Sequence, residues 1–180
     1  MKINKRNRLE SARVADSPNF SDRLHEEISL LVIHNISLPP GEFGNHFVND
    51  FFTNQLDPTQ DPYFEEIHQM KVSSHLFIDR EGLVTQFVPF DKAAWHAGMS
   101  EFNGKDNCND FSIGIELEGT DDIEYTSDQY SALIEVTKIL MQAYPEITID
   151  NIVGHRHIAP ARKTDPGDSF NWDFYKSSLS

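Results

Sequence analysis

The sequence has little cysteine and no long apolar run. Cys108 is the one cysteine among 180 residues, so an internal disulfide is excluded and a reducing compartment is favoured. Its surroundings, KDNCND, hold no neighbouring base, which disfavours a catalytic thiol. No stretch approaches the roughly eighteen apolar residues of a membrane helix, and the basic start MKINKRNRLE is not followed by an apolar run of signal-peptide length. We therefore expect a cytoplasmic protein that does not associate with a membrane.

Basic side chains are also scarce relative to acidic ones. Lys and Arg number 15 and Asp and Glu number 29, so the formal net charge is −14. Without a basic stripe to neutralise phosphates, a nucleic-acid or anionic-membrane partner is disfavoured. A chain of 180 residues with 38% hydrophobic residues is long enough for one well-buried core and short for two. We predict a single domain, residues 1–180, in a monomer.

Two stretches carry clear strand patterns. Residues 72–90, VSSHLFIDREGLVTQFVPF, are rich in β-branched and aromatic residues on both sides of a turn signal at residues 79–82, which predicts a hairpin. Residues 111–119, FSIGIELEG, alternate between apolar and other side chains. This alternation places Glu116 and Glu118 on the same face of a strand.

Helical patterns separate these strands. In residues 45–54, NHFVNDFFTN, the apolar residues recur at helical spacing, and TSDQ at residues 126–129 resembles a capping box that opens a longer helix ended by Pro145. Residues 55–70 look irregular, and residues 91–110 show no period and are expected to form a long surface loop. Strands interleaved with helices predict an α/β fold, with a mixed central β-sheet flanked by helices.

Two histidines lie at predicted strand ends. His34 closes the apolar run of residues 29–37, SLLVIHNIS, and His155 follows the apolar NIV and a glycine. Active sites in α/β proteins commonly lie at strand ends. Asp165 lies in KTDPG, which alone would indicate a turn. Two histidines and a carboxylate are the composition of a catalytic zinc site, but there is no H-E-x-x-H motif and the residues come from distant segments. Spacing alone therefore leaves the metal undecided.

Four longer segments carry a family resemblance: VIHNISLPPGEFG, PFDKAAWHAG, CNDFSIGIELEGTD and IAPARKTDPG. They resemble the cytoplasmic 1,6-anhydro-N-acetylmuramyl-L-alanine amidases of cell-wall recycling. These belong to the type 2 N-acetylmuramoyl-L-alanine amidases, which are related to phage amidases and peptidoglycan recognition proteins. The resemblance runs from about residue 12 to residue 176. It implies a mixed sheet flanked by helices, one zinc ion, and hydrolysis of the amide between the lactyl group and L-alanine of an anhydromuropeptide.

The resemblance also implies roles for individual residues. It makes His34, His155 and Asp165 the zinc ligands. It makes Glu116 the general base and Lys163 the residue that stabilises the oxyanion. The chemistry suits these residue types, because zinc lowers the pKa of a water molecule toward about 7, a carboxylate can take its proton, and an ammonium group stabilises developing negative charge.

Substrate contacts follow from the same resemblance, with two departures. The candidates are Asn35, Lys71, Trp95, His96 and Asn107. Relatives often carry arginine where this chain has Lys71 and Asn107. The planar guanidinium group of arginine can bind a carboxylate through two hydrogen bonds, whereas the ammonium group of Lys71 is a point charge and the side chain of Asn107 is a neutral amide. These departures concern affinity for the peptide and leave the hydrolytic residues intact.

Two further polar residues need a role. Relatives often have aspartate at the position of His157, and neighbours two apart in an extended segment point to opposite faces, so we predict that His157 is not a ligand beside His155. Glu118 shares the face of Glu116 but lies roughly 7 Å further along the strand, which indicates a supporting role.

Three functions remain open from the sequence. The first is a zinc amidase. The second is a binding module, which the intact set of candidate ligands disfavours. The third is a zinc-free hydrolase that uses the Glu116 and Glu118 pair.

Overall fold

A computed structural model describes residues 2–24 and 27–180. The strands are β1 Arg13–Val14, β2 Phe20–Asp22, β3 Leu30–Ile36, β4 Leu76–Ile78, β5 Val84–Gln86, β6 Lys92–Ala94, β7 Glu101–Phe102, β8 Lys105–Asp106, β9 Ser112–Glu118 and β10 Ile152–Gly154. The helices are α1 Phe47–Phe52, α2 Pro62–Ile67, α3 Ser127–Ala143, α4 His155–Ile158 and α5 Trp172–Ser177. Single 3-10 turns cover Cys108–Asp110 and Ile149–Asn151.

The central sheet has six strands in the order β1-β5-β4-β9-β3-β10. Strands β4 and β5 pair antiparallel, and the other neighbouring pairs are parallel. The predicted mixed sheet is therefore confirmed, and so is the predicted hairpin. Its turn is held by Asp79, whose carboxylate accepts hydrogen bonds from the backbone N–H groups of Glu81 and Leu83.

The middle strands, β3 and β9, are buried along nearly their whole length. The alternation in β9 has the predicted consequence on one face, where Ile113, Ile115 and Leu117 are fully buried in the main hydrophobic core. Burying an aliphatic side chain of this size contributes about 1.5–3 kcal/mol. The opposite face of β9 is free of large apolar side chains and carries Glu116 and Glu118.

Helix α3 covers the apolar face of the sheet. Its predicted capping box is present: the Thr126 hydroxyl accepts from the Gln129 N–H, and the Gln129 side chain accepts from the Thr126 N–H. Leu133 and Leu140 are fully buried against the strands. The predicted short helix around residues 45–54 is also confirmed, as α1.

Two predictions about irregular segments were wrong. Residues 55–70 contain α2, which begins with an Asp61 side chain that accepts from the Tyr63 N–H and with a proline in its first turn. Residues 91–110 are not simply a surface loop, because they contain β6, β7, β8 and a 3-10 turn. Several residues of this segment are buried, but the apolar pattern did not indicate it because their side chains are small. Ala94, Ala97 and Cys108 are 0% exposed.

None of the helices within residues 2–24 and 27–180 combines the length and the hydrophobicity that a membrane crossing requires.

Candidate metal centre and active site

The site begins with the register of the two central strands. Strands β3 and β9 run parallel, with His34 directly opposite Glu116. On the far side of β3, β10 ends at Gly154, so His155 begins the short helix α4 beside the same edge of the sheet. The predicted strand ends for His34 and His155 thus meet at one place.

A cavity of about 590 Å³ opens at this edge. His34, Glu116, His155, Lys163 and Asp165 all line it. The structure therefore brings together the five residues for which the sequence predicts metal binding or catalysis.

Three ligand atoms form a compact triangle in the cavity. His34 Nδ1 lies 3.0 Å from His155 Nδ1 and 3.0 Å from Asp165 Oδ2, and His155 Nδ1 lies 3.2 Å from the same Asp165 oxygen. Tetrahedral zinc with bonds of about 2.0–2.2 Å sets its ligand atoms roughly 3.3–3.6 Å apart. The observed triangle is only slightly smaller than this, so the three residues fit a metal ion.

The electrostatics of the triangle also suit a cation. Burial lowers the pKa of His34 to about 4, so the imidazole is neutral and can offer a lone pair at neutral pH. Burial on its own would raise the pKa of Asp165, but its close polar contacts with His155 and His34 outweigh burial and hold the pKa below its ordinary value. The Asp165 carboxylate oxygen and the two imidazole nitrogens lie about 3 Å from one another. All three atoms offer electron pairs, so one metal dication could bind them together.

Glu116 has the properties of a proton acceptor. Its side chain is 8% exposed, and its Oε2 atom has no hydrogen-bond partner among the described residues. Burial raises the pKa of Glu116 well above its ordinary value, the carboxylate of Asp165 raises it further, and the charge of Lys163 opposes both. A buried carboxyl oxygen without a partner, beside a candidate metal site, has its bonding capacity free for water or a substrate.

The candidate substrate contacts separate into two groups. Asn35, Trp95 and His96 line the cavity. Lys71 is exposed and does not line it, although both of its chain neighbours do. Asn107 is exposed in a left-handed backbone conformation and lines a smaller recess that also borders Trp95. Lys71 and Asn107, the two departures that the resemblance indicates, therefore lie outside the cavity itself.

His157 lies away from the triangle, but the geometric argument that predicted this was wrong. Residues 155–158 form a helical turn and not an extended segment. The His157 Nδ1 atom accepts from the Gly154 N–H, and the ring packs edge-on against Trp172 at 5.7 Å between centroids. These contacts give His157 a local structural role.

Glu118 is occupied elsewhere. Its carboxylate oxygens accept hydrogen bonds from the backbone N–H groups of Gly44 and Arg80, which ties two loops to the end of β9. This is the supporting role that the strand spacing predicts.

Arg162 also lines the cavity, as expected for a cation near its mouth, and donates to the carbonyl oxygens of Ala97 and Met99. Two lining residues of α2 had not been predicted. Tyr63 and Ile67 add an apolar wall that comes from α2. The Asp-Pro pair at residues 61–62, typical of a helix start, is the signal that could have revealed this wall.

Comparisons with known proteins agree with this geometry. The family model described as N-acetylmuramoyl-L-alanine amidase matches residues 24–168. The chain therefore belongs to the N-acetylmuramoyl-L-alanine amidase family, a family of hydrolases.

More specific relatives stand within that family. The chain is 53% identical over 172 residues to the 1,6-anhydro-N-acetylmuramyl-L-alanine amidase AmpD of Haemophilus influenzae, covering 95% of this chain and 94% of that protein. It matches the crystal structure of a selenomethionine AmpD derivative with a TM-score of 0.96 and 49% identity, covering 100% of both chains. It also matches the amidase AmiD of E. coli in complex with the substrate anhydro-N-acetylmuramic acid-L-Ala-D-γ-Glu-L-Lys, with a TM-score of 0.60 and 27% identity over 95% of this chain and 60% of that one.

Proposed function

We propose that this amidase hydrolyses the amide bond between the lactyl group of 1,6-anhydro-N-acetylmuramic acid and L-alanine in muropeptides. It uses one zinc ion per chain and acts as a monomer in cytoplasmic recycling of peptidoglycan. The observation that carries the proposal is the triangle of His34, His155 and Asp165 beside the unpartnered Glu116 oxygen, in one cavity. The names of the relatives supply the substrate class.

The ligand set favours zinc among common metals. Two neutral imidazoles and one carboxylate are the ligand types of catalytic zinc sites, which hold three protein ligands and keep a fourth position for water or substrate. A zinc ion bound here would polarise a carbonyl group and lower the pKa of a water molecule toward about 7. Calcium and magnesium prefer all-oxygen ligand sets, which these residues do not provide.

Glu116 is the general base in this proposal. Glu116 lines the cavity and its Oε2 has no hydrogen-bond partner among the described residues, so the carboxylate can accept the proton of the attacking water and later return it to the leaving amine of L-alanine.

Lys163 supplies positive charge within the cavity. Its side chain is half-buried and lines the cavity beside Asp165. A cation there stabilises the negative charge that develops on the carbonyl oxygen during attack, an effect typically on the order of 3 kcal/mol for a well-placed donor.

The cavity suits a substrate that is part sugar and part peptide. Its lining combines the polar groups of Asn35, Glu116 and Lys163 with apolar side chains of α1 and α2 such as Phe52 and Ile67. A volume of about 590 Å³ lies in the ordinary range for small-molecule sites.

The two alternatives fit the site less well. A zinc-free mechanism needs a second carboxylate beside Glu116, but the Glu118 oxygens are engaged by backbone N–H groups. A binding module has no need of an unpartnered buried carboxyl oxygen next to a complete set of ligands.

The test combines metal analysis with product analysis. We expect about one zinc per chain in the purified protein, and release of the free peptide from an anhydromuropeptide that a chelator abolishes and added zinc restores. His34→Ala and Asp165→Ala should lose both metal and activity. His68→Ala is the control, because His68 lies outside the cavity lining and its Nδ1 bonds to the backbone carbonyl of Phe64. Full zinc occupancy in both ligand variants, or hydrolysis that chelator does not reduce, would reject the zinc mechanism.

A further inference from the structure

We propose that one short segment, residues 95–97, orients both histidine ligands for binding through Nδ1, and that Asn109 is the positioning residue that fixes this segment. The inference rests on the proposed function, since it assumes a metal at His34, His155 and Asp165. It assigns His96 a role through His34, where the sequence analysis had placed it among the substrate contacts.

The first link is from His34 to His96. His34 Nδ1 faces the triangle, and its other ring nitrogen, Nε2, lies 2.9 Å from His96 Nδ1. A neutral imidazole that binds metal through Nδ1 carries its proton on Nε2, so His34 donates and His96 accepts. This hydrogen bond sets both the tautomer and the rotation of the His34 ring.

Besides its contact with His34, the His96 ring is held by two residues of β9. Its Nε2 atom lies 3.1 Å from the Ser112 hydroxyl, and the ring lies directly over the backbone of Gly114. A Cβ atom at position 114 would lie 2.5 Å from His96 Cγ, far inside van der Waals contact. The glycine in the middle of β9 therefore makes room for the ring that orients His34.

The second link is from His155 to the next residue of the segment. His155 Nδ1 faces the triangle, and its Nε2 atom donates to the carbonyl oxygen of Ala97 over 3.1 Å. The same carbonyl accepts from Arg162 over 2.7 Å, which anchors it from the cavity mouth. Consecutive residues thus provide the outer hydrogen-bond partners of both histidine ligands.

Asn109 holds both of those residues with one atom. Its Oδ1 accepts from the backbone N–H of His96 over 3.1 Å and from that of Ala97 over 2.8 Å. Asn109 lies in the 3-10 turn after β8 and does not line the main cavity. Any effect of Asn109 on metal binding must therefore pass through residues 95–97.

The size of the effect follows from the role of such partners. Residues that hydrogen-bond the outer nitrogen of a metal-binding histidine typically change metal affinity 10- to 100-fold when they are removed. We expect a change of that size in zinc affinity, while the number of metal ions per chain stays at one.

The experiment uses two matched pairs of variants. His96→Leu removes the acceptor, whereas His96→Asn keeps an amide oxygen close to the position of Nδ1. Asn109→Ala removes the acceptor for two N–H groups, whereas Asn109→Asp keeps it. Zinc affinity is measured by competition with a chromophoric chelator, and the visible spectrum of the cobalt-substituted protein reports the ligand geometry. Far-ultraviolet circular dichroism and a thermal melt confirm that each variant is folded.

The expected result is a 10- to 100-fold loss of zinc affinity and an altered cobalt spectrum in His96→Leu and Asn109→Ala, with His96→Asn and Asn109→Asp within about threefold of wild type. Wild-type affinity in a folded His96→Leu or Asn109→Ala variant overturns the inference, even if wild type is a zinc amidase. Equal losses within each pair also overturn it, because general damage to the fold would then be the cause. Failure of the wild-type protein to bind zinc would instead reject the proposed function.

Discussion

The buried histidine His75 should make the protein sensitive to mild acid. Its ring is 0% exposed, with Nδ1 accepting from the Gly114 N–H over 3.0 Å and Nε2 donating to the Lys92 carbonyl over 2.9 Å. Protonation would break the first of these bonds and place a second positive charge 3.2 Å from the Arg23 guanidinium. Burial, with a further contribution from Arg23, accordingly lowers the pKa of His75 to about 3.

The magnitude follows from the difference between the folded and unfolded states. In the unfolded chain the histidine has its ordinary pKa of 6.5, so between pH 6.5 and about 3 the unfolded state binds a proton that the folded state does not. The free energy of unfolding therefore falls as the pH falls through this window. At pH 5 the unfolded state gains about 2 kcal/mol from that proton, and at pH 7 it gains well under about 1 kcal/mol.

The assay is urea unfolding at pH 7 and pH 5, with a chelator present so that metal release does not contribute. We expect His75→Asn to lose about 2 kcal/mol less than wild type between the two pH values, whatever its stability at pH 7. Leu133→Ala is the control: it removes a fully buried side chain but leaves His75, so it should lose as much as wild type. Parallel pH dependence in wild type and His75→Asn would refute the account of His75 as a ring held neutral by its surroundings.

Four further outcomes are expected. Glu116→Gln should keep zinc, by metal analysis, and lose at least about 100-fold in kcat because an amide cannot accept the proton. Lys163→Ala should retain zinc and lose about 100-fold in kcat, measured with an anhydromuropeptide. His157→Asn should leave zinc content unchanged and alter the rate less than about tenfold, since its contacts are with Gly154 and Trp172. Gly114→Ala should lower the free energy of unfolding by about 1–3 kcal/mol in urea, because the ring over it must move.

The parts of the fold that the sequence predicted are those where one local rule decides the structure. A capping box needs only Thr126 and Gln129, and both of its hydrogen bonds are present. The hairpin needs a turn at residues 79–82 between two β-rich runs, and Asp79 supplies it. In β9, successive side chains point to opposite faces of the sheet, and this alone separates the core residues from Glu116 and Glu118.

The parts that were missed depend on small side chains and on short elements. Helix α2 has six residues, too few for a helical period to stand out, although Asp61 and a proline mark its start. In residues 91–110 the buried positions are largely occupied by alanine and cysteine, which carry little hydrophobic signal. Yet residues 95–97 fall within this stretch, so the segment that hydrogen-bonds the outer nitrogens of both histidine ligands has little apolar pattern of its own.

In the candidate site, the individual residues were easier to predict than the fact that they meet at one place in the fold. Strand patterns placed His34 and His155 at the ends of two strands, but no local pattern says that those strands are neighbours. That information lies in the sheet order, in which β3 stands between β9 and β10 and all three run parallel. Parallel pairing brings the ends of all three strands to one edge, and the register sets His34 directly opposite Glu116. Residues 121 positions apart in the chain can then place ring nitrogens 3.0 Å apart. Before the sheet order was known, only the family resemblance could connect them.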